Sequence, residues 1–343
     1  TKAGIKEIAS KLLRDSTERC QAIAKIGKKD KGKEKTFPVV KKCKYSFDIE
    51  FRKKLLKLNI PHMEKLRQLY IADPELNEDA FNVSLYVLLQ RYHSLLGHGM
   101  QSACSEHVFD ALKHTLQVNF ECFASPLNCR FPRYCSAFPD TDGDFGSLGS
   151  FFSCFGKVED FMQAFPDGGS FEANPPFIPK IMGEMISCIE RLLMARETVN
   201  IGLSFSVILP GWQEQAYWNK LTNEKNSFVK ASVLIAASDH GFVSGAQHQR
   251  KDRFMDSPFD TAFFVLQNVG GAKRYPIPVS FDEILREAFR KSLPTDAMRD
   301  RRMKEGRGFG DKDGGGGVYK GKKNNKKTEF TTWKSRPHKY HGN

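Results

Sequence analysis

The densest chemistry in this chain lies in four consecutive residues, Asn174-Pro175-Pro176-Phe177. The Asn174 side-chain oxygen and the backbone carbonyl of Pro175 are two hydrogen-bond acceptors, and successive prolines hold the backbone between them rigid. Acceptors placed in advance suit an exocyclic amine whose lone pair is delocalised into a ring. They draw its two hydrogens out of plane, and little is lost to reorganisation as the nitrogen attacks. Phe177 adds a ring on which a planar base can stack, worth about 1–3 kcal/mol. Asn174 is neutral at any ordinary pH, so it orients an amine and is not a strong base; the chemistry requires no metal. The competing reading is a Pro-Pro turn in which Asn174 only caps a helix.

These residues can act only if neighbouring elements carry them to an edge. Residues 170–173 read as a short strand that stops at Asn174. Beyond the prolines, Ile178, Ile181, Met182, Met185, Ile186, Ile189, Leu192 and Leu193 share one helical face. A strand end that feeds a helix marks the carboxyl edge of a sheet, where open α/β folds bind ligands. Residues 118–123 alternate as a strand and break at the turn-forming 124–128, and apolar strands follow at 203–209, 232–237 and 261–266. Strands interleaved with helices predict an α/β sheet. Before residue 116 the pattern reads as mostly helical, with helices expected over 5–26, 51–58, 63–70 and 77–93. The expected organisation is a mainly helical domain over 1–115, a core over 116–290 and a basic, Gly/Lys-rich disordered tail over 291–343.

Composition agrees with a buried core: 40% of the 343 residues are hydrophobic and 28 are Phe. No run of 18 apolar residues occurs, which disfavours a membrane span, and no basic-then-apolar leader opens the sequence. The net charge of +13 is uneven: residues 1–60 carry +11, residues 291–343 carry +9 and the body between carries −7. Basic ends on an acidic body fit contact with a polyanion at the periphery, or a solvated charge run. Eight cysteines without a CxxC pair support neither a zinc finger nor a disulfide framework.

Longer blocks surround the tetrapeptide. They are Phe123-Ala124-Ser125-Pro126-Leu127-Asn128, Tyr134-Cys135-Ser136-Ala137-Phe138-Pro139-Asp140-Thr141-Asp142-Gly143, Ser170-Phe171-Glu172-Ala173 leading into the motif, Ile208-Leu209-Pro210-Gly211-Trp212, Ser244-Gly245-Ala246-Gln247-His248 and Leu266-Gln267-Asn268. Over about residues 50–290 the chain resembles the cap-specific adenosine N6-methyltransferase family, also called the phosphorylated-CTD-interacting factor. The resemblance implies a Rossmann-like, S-adenosylmethionine-dependent methyltransferase core joined to a helical domain. The implied reaction is methylation of N6 on the cap-adjacent 2′-O-methyladenosine of capped mRNA, in the nucleus, giving N6,2′-O-dimethyladenosine. Family members usually carry a WW domain that binds the phosphorylated C-terminal domain of RNA polymerase II, and this chain shows no such module. Residues 145–169 depart from the family pattern. The alternatives are an inactive relative serving as an RNA- or polymerase-binding scaffold, and an adenine-N6 methyltransferase of another nucleic acid.

For the implied cofactor, Asn128 can bond the methionine end, Phe145 and Gly146 allow close backbone approach, and Asp142 and Glu172 can accept from ribose hydroxyls or the ammonium group. Each is equally readable as an ordinary turn residue. Asn268 is expected at the same edge, and Trp212 is a candidate to stack on the base or cap, or to pack. His240 and His248 lack partners at informative spacing and read as core or solvated histidines.

Overall fold

Alternation, not helical spacing, organises the first stretch of the computed structural model, which describes residues 37–72, 77–95, 102–197 and 201–304. Strands β1 (Val39–Lys42), β2 (Ser46–Phe51) and β3 (Lys54–Asn59) form an antiparallel meander. Ile49, Leu56 and Leu58 are buried while Leu55 and Lys57 are exposed. That period of two corrects the helix expected over 51–58: its closely spaced leucines fit either period, and burial selects the strand. Helices α1 (Ile60–Leu69) and α2 (Glu78–Ser94) follow, each capped by an asparagine, Asn59 and Asn77, that accepts from a first-turn backbone N–H. Pro61 stands in the first turn of α1, where its missing N–H costs nothing, so it opens the helix rather than breaking it. Among the described residues, the stretch expected as a mainly helical domain holds this meander with helices packed on it, around Leu66, Phe81, Leu85, Leu88 and Leu89.

Helix α3 (Glu106–Leu116) leads into a six-stranded sheet built from β4 (Phe120–Ala124), β5 (Tyr134–Ser136), β6 (Gly169–Ala173), β7 (Leu203–Pro210), β8 (Val229–Ile235) and, after a separate antiparallel pair β9 (Gly241–Val243) and β10 (Phe254–Asp256), β11 (Thr261–Gln267). The order is β5-β4-β6-β7-β11-β8; neighbours run parallel from β5 to β7, and β11 runs against both its partners. Between and after the strands lie α4 (Pro139–Asp142), α5 (Phe151–Cys154), α6 (Val158–Ala164), α7 (Pro179–Glu197), α8 (Ala216–Thr222), α9 (Val269–Arg274), α10 (Phe281–Arg290) and α11 (Asp296–Lys304).

One sheet face carries Phe120, Cys122, Phe171, Phe205 and Phe264 against α5 to α8, including the α7 stripe Met182, Met185, Ile186, Ile189, Leu192 and Leu193. The other face sets Ile208, Val233, Phe263 and Val265 against α3 and α10. Burying each such side chain stabilises by about 1.5–3 kcal/mol. The result is a three-layer α/β/α unit with a mixed sheet, consistent with a Rossmann-like core. The stretch expected as a tail opens with structure: Ser292 and Pro294 are buried, and in α11 Arg299 pairs with Asp256 and Arg301 with Asp252. Those acidic partners are remote in sequence, so composition alone hides them. The expected helix over 5–26, the basic loop after it and the Gly/Lys-rich stretch beyond 304 lie outside the described residues. No helix among the described residues is long and apolar enough to cross a membrane, and the seven described cysteines are free.

Candidate functional site

Strand β6 delivers the motif. Ala173, its last residue, pairs with Val207 of β7, so Asn174 emerges at the carboxyl edge of the parallel strands. Asn174 is half-buried and Pro175 buried. Among the described residues no group hydrogen-bonds the Asn174 side chain and no donor reaches the Pro175 carbonyl. The Pro176 carbonyl, by contrast, accepts from the Ile178 N–H at 2.6 Å and closes a tight turn. Helix α7 begins only at Pro179, so Asn174 does not cap it. Phe177 meets Trp212 and Phe242 edge-on at 6.4 Å between ring centres, and Trp212 leans on Phe259 at 5.2 Å. The motif's two acceptors therefore stand beside an aromatic wall. One turn further, a depression of about 250 Å³ opens between Phe152, Lys180, Ile181 and Glu184.

Directly behind the motif the sheet carries acids. Glu172 on β6 is in register with Glu121 on β4 and Ser206 on β7, and all three are buried. The two carboxyls differ. One Glu121 oxygen, Oε1, accepts from the backbone N–H groups of Arg130 (2.6 Å) and Phe131 (2.8 Å), whereas Oε1 of Glu172 and Oγ of Ser206 have no partner among the described residues. Burial pushes the Glu121 carboxyl up to about 7 against the pull of those two N–H groups. Burial, and then the Glu121 charge, hold Glu172 well above the ordinary carboxylate range. By strand alternation Glu172 and Asn174 leave β6 toward the same side.

The expected cofactor residues separate. Asn128 stays at the edge, in the turn after β4, where its Oδ1 accepts from the Ser125 N–H at 2.7 Å and from the Ser125 hydroxyl. Asp142 is fully buried and spends its oxygens on Tyr92 Oη (2.6 Å) and Thr141 Oγ1 (3.1 Å), which ties α2 to the segment after β5. Phe145 is a core residue against Tyr70 and Phe81, and its carbonyl is taken by Tyr134 Oη. Gly146 has φ +87°, a left-handed turn that by itself explains the glycine. Asn268 lies at the opposite edge, because β11 is reversed: its end pairs with Ser204, at the start of β7. There it caps α9 through the Gly271 N–H, accepts from the Leu203 N–H and donates to the Ile201 carbonyl. The reversal of β11 has no signature in the sequence and corrects the expectation for Asn268.

Several further residues gather at this edge without belonging to any sequence motif. Glu121, an acid inside an apolar strand, carries a visible signal; the α1 and α2 contacts do not. Asn59 Nδ2 donates to the Gln247 carbonyl at 3.1 Å, His62 Nε2 lies 3.1 Å from the Leu127 carbonyl, and Tyr92 reaches Asp142. The meander and its helices thus brace the loops that end β4 and β5. His248 is buried with neither ring nitrogen in a formed hydrogen bond to a described residue, and burial pushes it down to about 4, outweighing the backbone at Gly245. His240 is a satisfied core histidine between the Ala236 carbonyl and Thr261 Oγ1.

The sequence is similar to those of known proteins. The family model described as the phosphorylated CTD interacting factor 1 WW domain matches residues 65–245, which run from α1 through β9. An mRNA (2′-O-methyladenosine-N(6)-)-methyltransferase of Homo sapiens is 38% identical over 256 residues, 71% of this chain and 34% of that protein. The Mus musculus protein of the same name is 37% identical over 248 residues, 69% of this chain and 33% of that protein. The chain spans about a third of the length of these relatives.

Proposed function

Because the chain belongs to the phosphorylated CTD interacting factor 1 family, we propose that it transfers a methyl group to N6 of the cap-adjacent 2′-O-methyladenosine of capped mRNA. The observation that carries this reading is the pair of unengaged acceptors, Asn174 Oδ1 and the Pro175 carbonyl, beside Phe177 at the carboxyl edge. Two acceptors match the two hydrogens of an adenine amine. Holding both keeps the nitrogen lone pair aimed away from the ring as it attacks, and the prolines keep the acceptors from relaxing. Phe177 offers the stacking face and Trp212 stands next to it.

The methyl donor implied by this chemistry is S-adenosylmethionine, which supplies an electrophilic methyl on a sulfonium centre. The residues present fit it: Oε1 of Glu172, without a partner among the described residues, can engage a ribose hydroxyl or an ammonium. Metal-ligating geometry is not needed for any of these contacts. Asn174→Ala should abolish methyl transfer to a capped RNA beginning with 2′-O-methyladenosine, by roughly 10²–10³-fold in kcat. Retention of most activity would overturn the assignment. Uncapped RNA and duplex DNA as parallel substrates separate the cap-specific reading from adenine methylation elsewhere.

A further inference from the structure

Two thiols meet beside the short helix α5. Cys135 on β5 is fully buried, and Cys154, the last residue of α5, is half-buried. The chain after Gly146 closes the strand edge at Cys135. There the Leu148 N–H donates to the Tyr134 carbonyl at 3.0 Å and the Ser136 N–H donates to the Gly149 carbonyl at 2.9 Å, so the peptide joining Leu148 to Gly149 flanks Cys135. Cys154 Sγ donates to the Leu148 carbonyl at 3.2 Å and lies 3.8 Å from where a Cβ on Gly149 would stand. The same peptide thus borders both cysteines, α5 packs on β5, and the two thiols hydrogen-bond each other. Cys188, also in this layer, is committed elsewhere, to the Phe155 carbonyl at 2.7 Å. The pair is asymmetric. The bond from Cys135 lowers the Cys154 thiol against burial and the Asp160 charge, while the same bond and burial raise Cys135. A half-buried thiol that ionises more easily, next to a buried thiol within reach, suits an attacking cysteine and its resolving partner.

We propose that Cys135 and Cys154 are a modification site for hydrogen peroxide, forming a reversible disulfide that fixes α5 to β5. The Cys154 thiolate attacks one peroxide oxygen: an S–O bond forms, the O–O bond breaks, and hydroxide leaves with the proton that the thiol gave up, as water. The Cys135 sulfur then attacks the sulfenic sulfur. The S–S bond forms, the S–O bond breaks, and hydroxide leaves with the Cys135 proton as a second water. Two thiols lose two electrons and one peroxide gains them. Helix α5 carries Phe151, stacked on Phe123 at 4.7 Å, and Phe152, which borders the depression one turn beyond the Asn174 motif. The disulfide therefore holds one wall of that depression in place. The site does not depend on the methyltransferase reading.

The test treats the reduced full chain with a small molar excess of hydrogen peroxide, alkylates the remaining thiols and maps the peptides by mass spectrometry. A cross-link between Cys135 and Cys154 should be the main oxidised product, and dithiothreitol should remove it. Amide hydrogen exchange over residues 151–155 should slow on the order of 10-fold in the oxidised protein and recover on reduction. In Cys135→Ala, dimedone should capture Cys154 as its sulfenic acid and no cross-link should form, whereas Cys154→Ser should leave Cys135 unmodified. The measurement on the parent stands even if a variant fails to fold. A parent whose Cys154 goes to the sulfinic acid unlinked, pairs with another cysteine or does not react at all overturns the proposal. A cross-link that leaves exchange in α5 unchanged overturns the lock.

Discussion

Two asparagines follow strands in this molecule, Asn174 after β6 and Asn268 after β11, and they end up in opposite conditions. Asn268 is 1% exposed, caps a helix and makes three hydrogen bonds; Asn174 is half-buried and makes none among the described residues. Around Asn268 the packing is closed as well: a Cβ on Gly271 would sit 2.0 Å from the Leu203 carbonyl. A depression of about 410 Å³ does open at that amino edge, lined by Asp167, Ile201, Gly202, Gly270, Lys273 and Arg274. Yet a hollow is only as useful as the groups free to face it. Unspent polar atoms, rather than concavity, are the reason the carboxyl edge is the one proposed above for the chemistry.

The comparison breaks first at Asn174. Its alanine variant should lose roughly 10²–10³-fold in turnover while shifting stability by less than about 0.5 kcal/mol, as for a surface change that removes no protein contact. Asn268→Ala should do the reverse. It deletes a helix cap and strips partners from buried backbone groups, for about 2–4 kcal/mol by denaturant titration, with methyl transfer per folded molecule retained. If both variants lost activity in proportion to stability, the contrast between the edges would be void.

The legible part of this site is local and the illegible part is topological. Asn174 to Phe177 can be placed from sequence because a strand, two prolines and an amphipathic helix adjoin them in the chain. Asn268 cannot, since nothing in residues 261–267 states whether that strand runs with or against its neighbours. The α7 stripe is readable because its period of 3.6 persists for several turns. Residues 51–58 mislead because Leu55, Leu56 and Leu58 satisfy two periods, and only the pairing of β2 with β3 decides between them. Asp142 and Phe145 sit in a turn-rich stretch that sequence assigns to a ligand, whereas α2 arrives from 50 residues away to claim Asp142 through Tyr92.

The two glutamates repeat the contrast within one face of the sheet, and pH sharpens it. Glu121 is held by two backbone N–H groups and Glu172 Oε1 by none. Both carboxyls are raised in the folded protein, so the native state retains protons that the unfolded chain releases. The stability they lend is complete below the ordinary carboxylate value of 4.5 and is lost as pH climbs toward and past 7. Each retained proton contributes up to about 1.4 kcal/mol per pH unit. Glu172→Gln removes one titration and relieves the repulsion on Glu121. Its thermal midpoint should therefore fall less between pH 5 and pH 8 than the parent's. An identical fall in both proteins would show that the pair ionises normally.

Trp212 should give the smallest effect, because it belongs to both categories at once. It stands at the carboxyl edge beside Phe177, yet much of its ring is already committed to Phe259 at 5.2 Å. An aromatic pair of this kind contributes about 0.5–1.5 kcal/mol beyond its area. Trp212→Phe preserves a ring against Phe259 and should leave stability nearly unchanged. If Trp212 also touches the substrate base or cap, that variant should raise KM for capped RNA about 3- to 5-fold, near 1 kcal/mol, with kcat little altered. A KM equal to the parent's, with the same stability, would confine Trp212 to holding Phe177 in place. The wall beside Asn174 would then be packed like the amino edge, and only the two acceptors would distinguish one end of the sheet from the other.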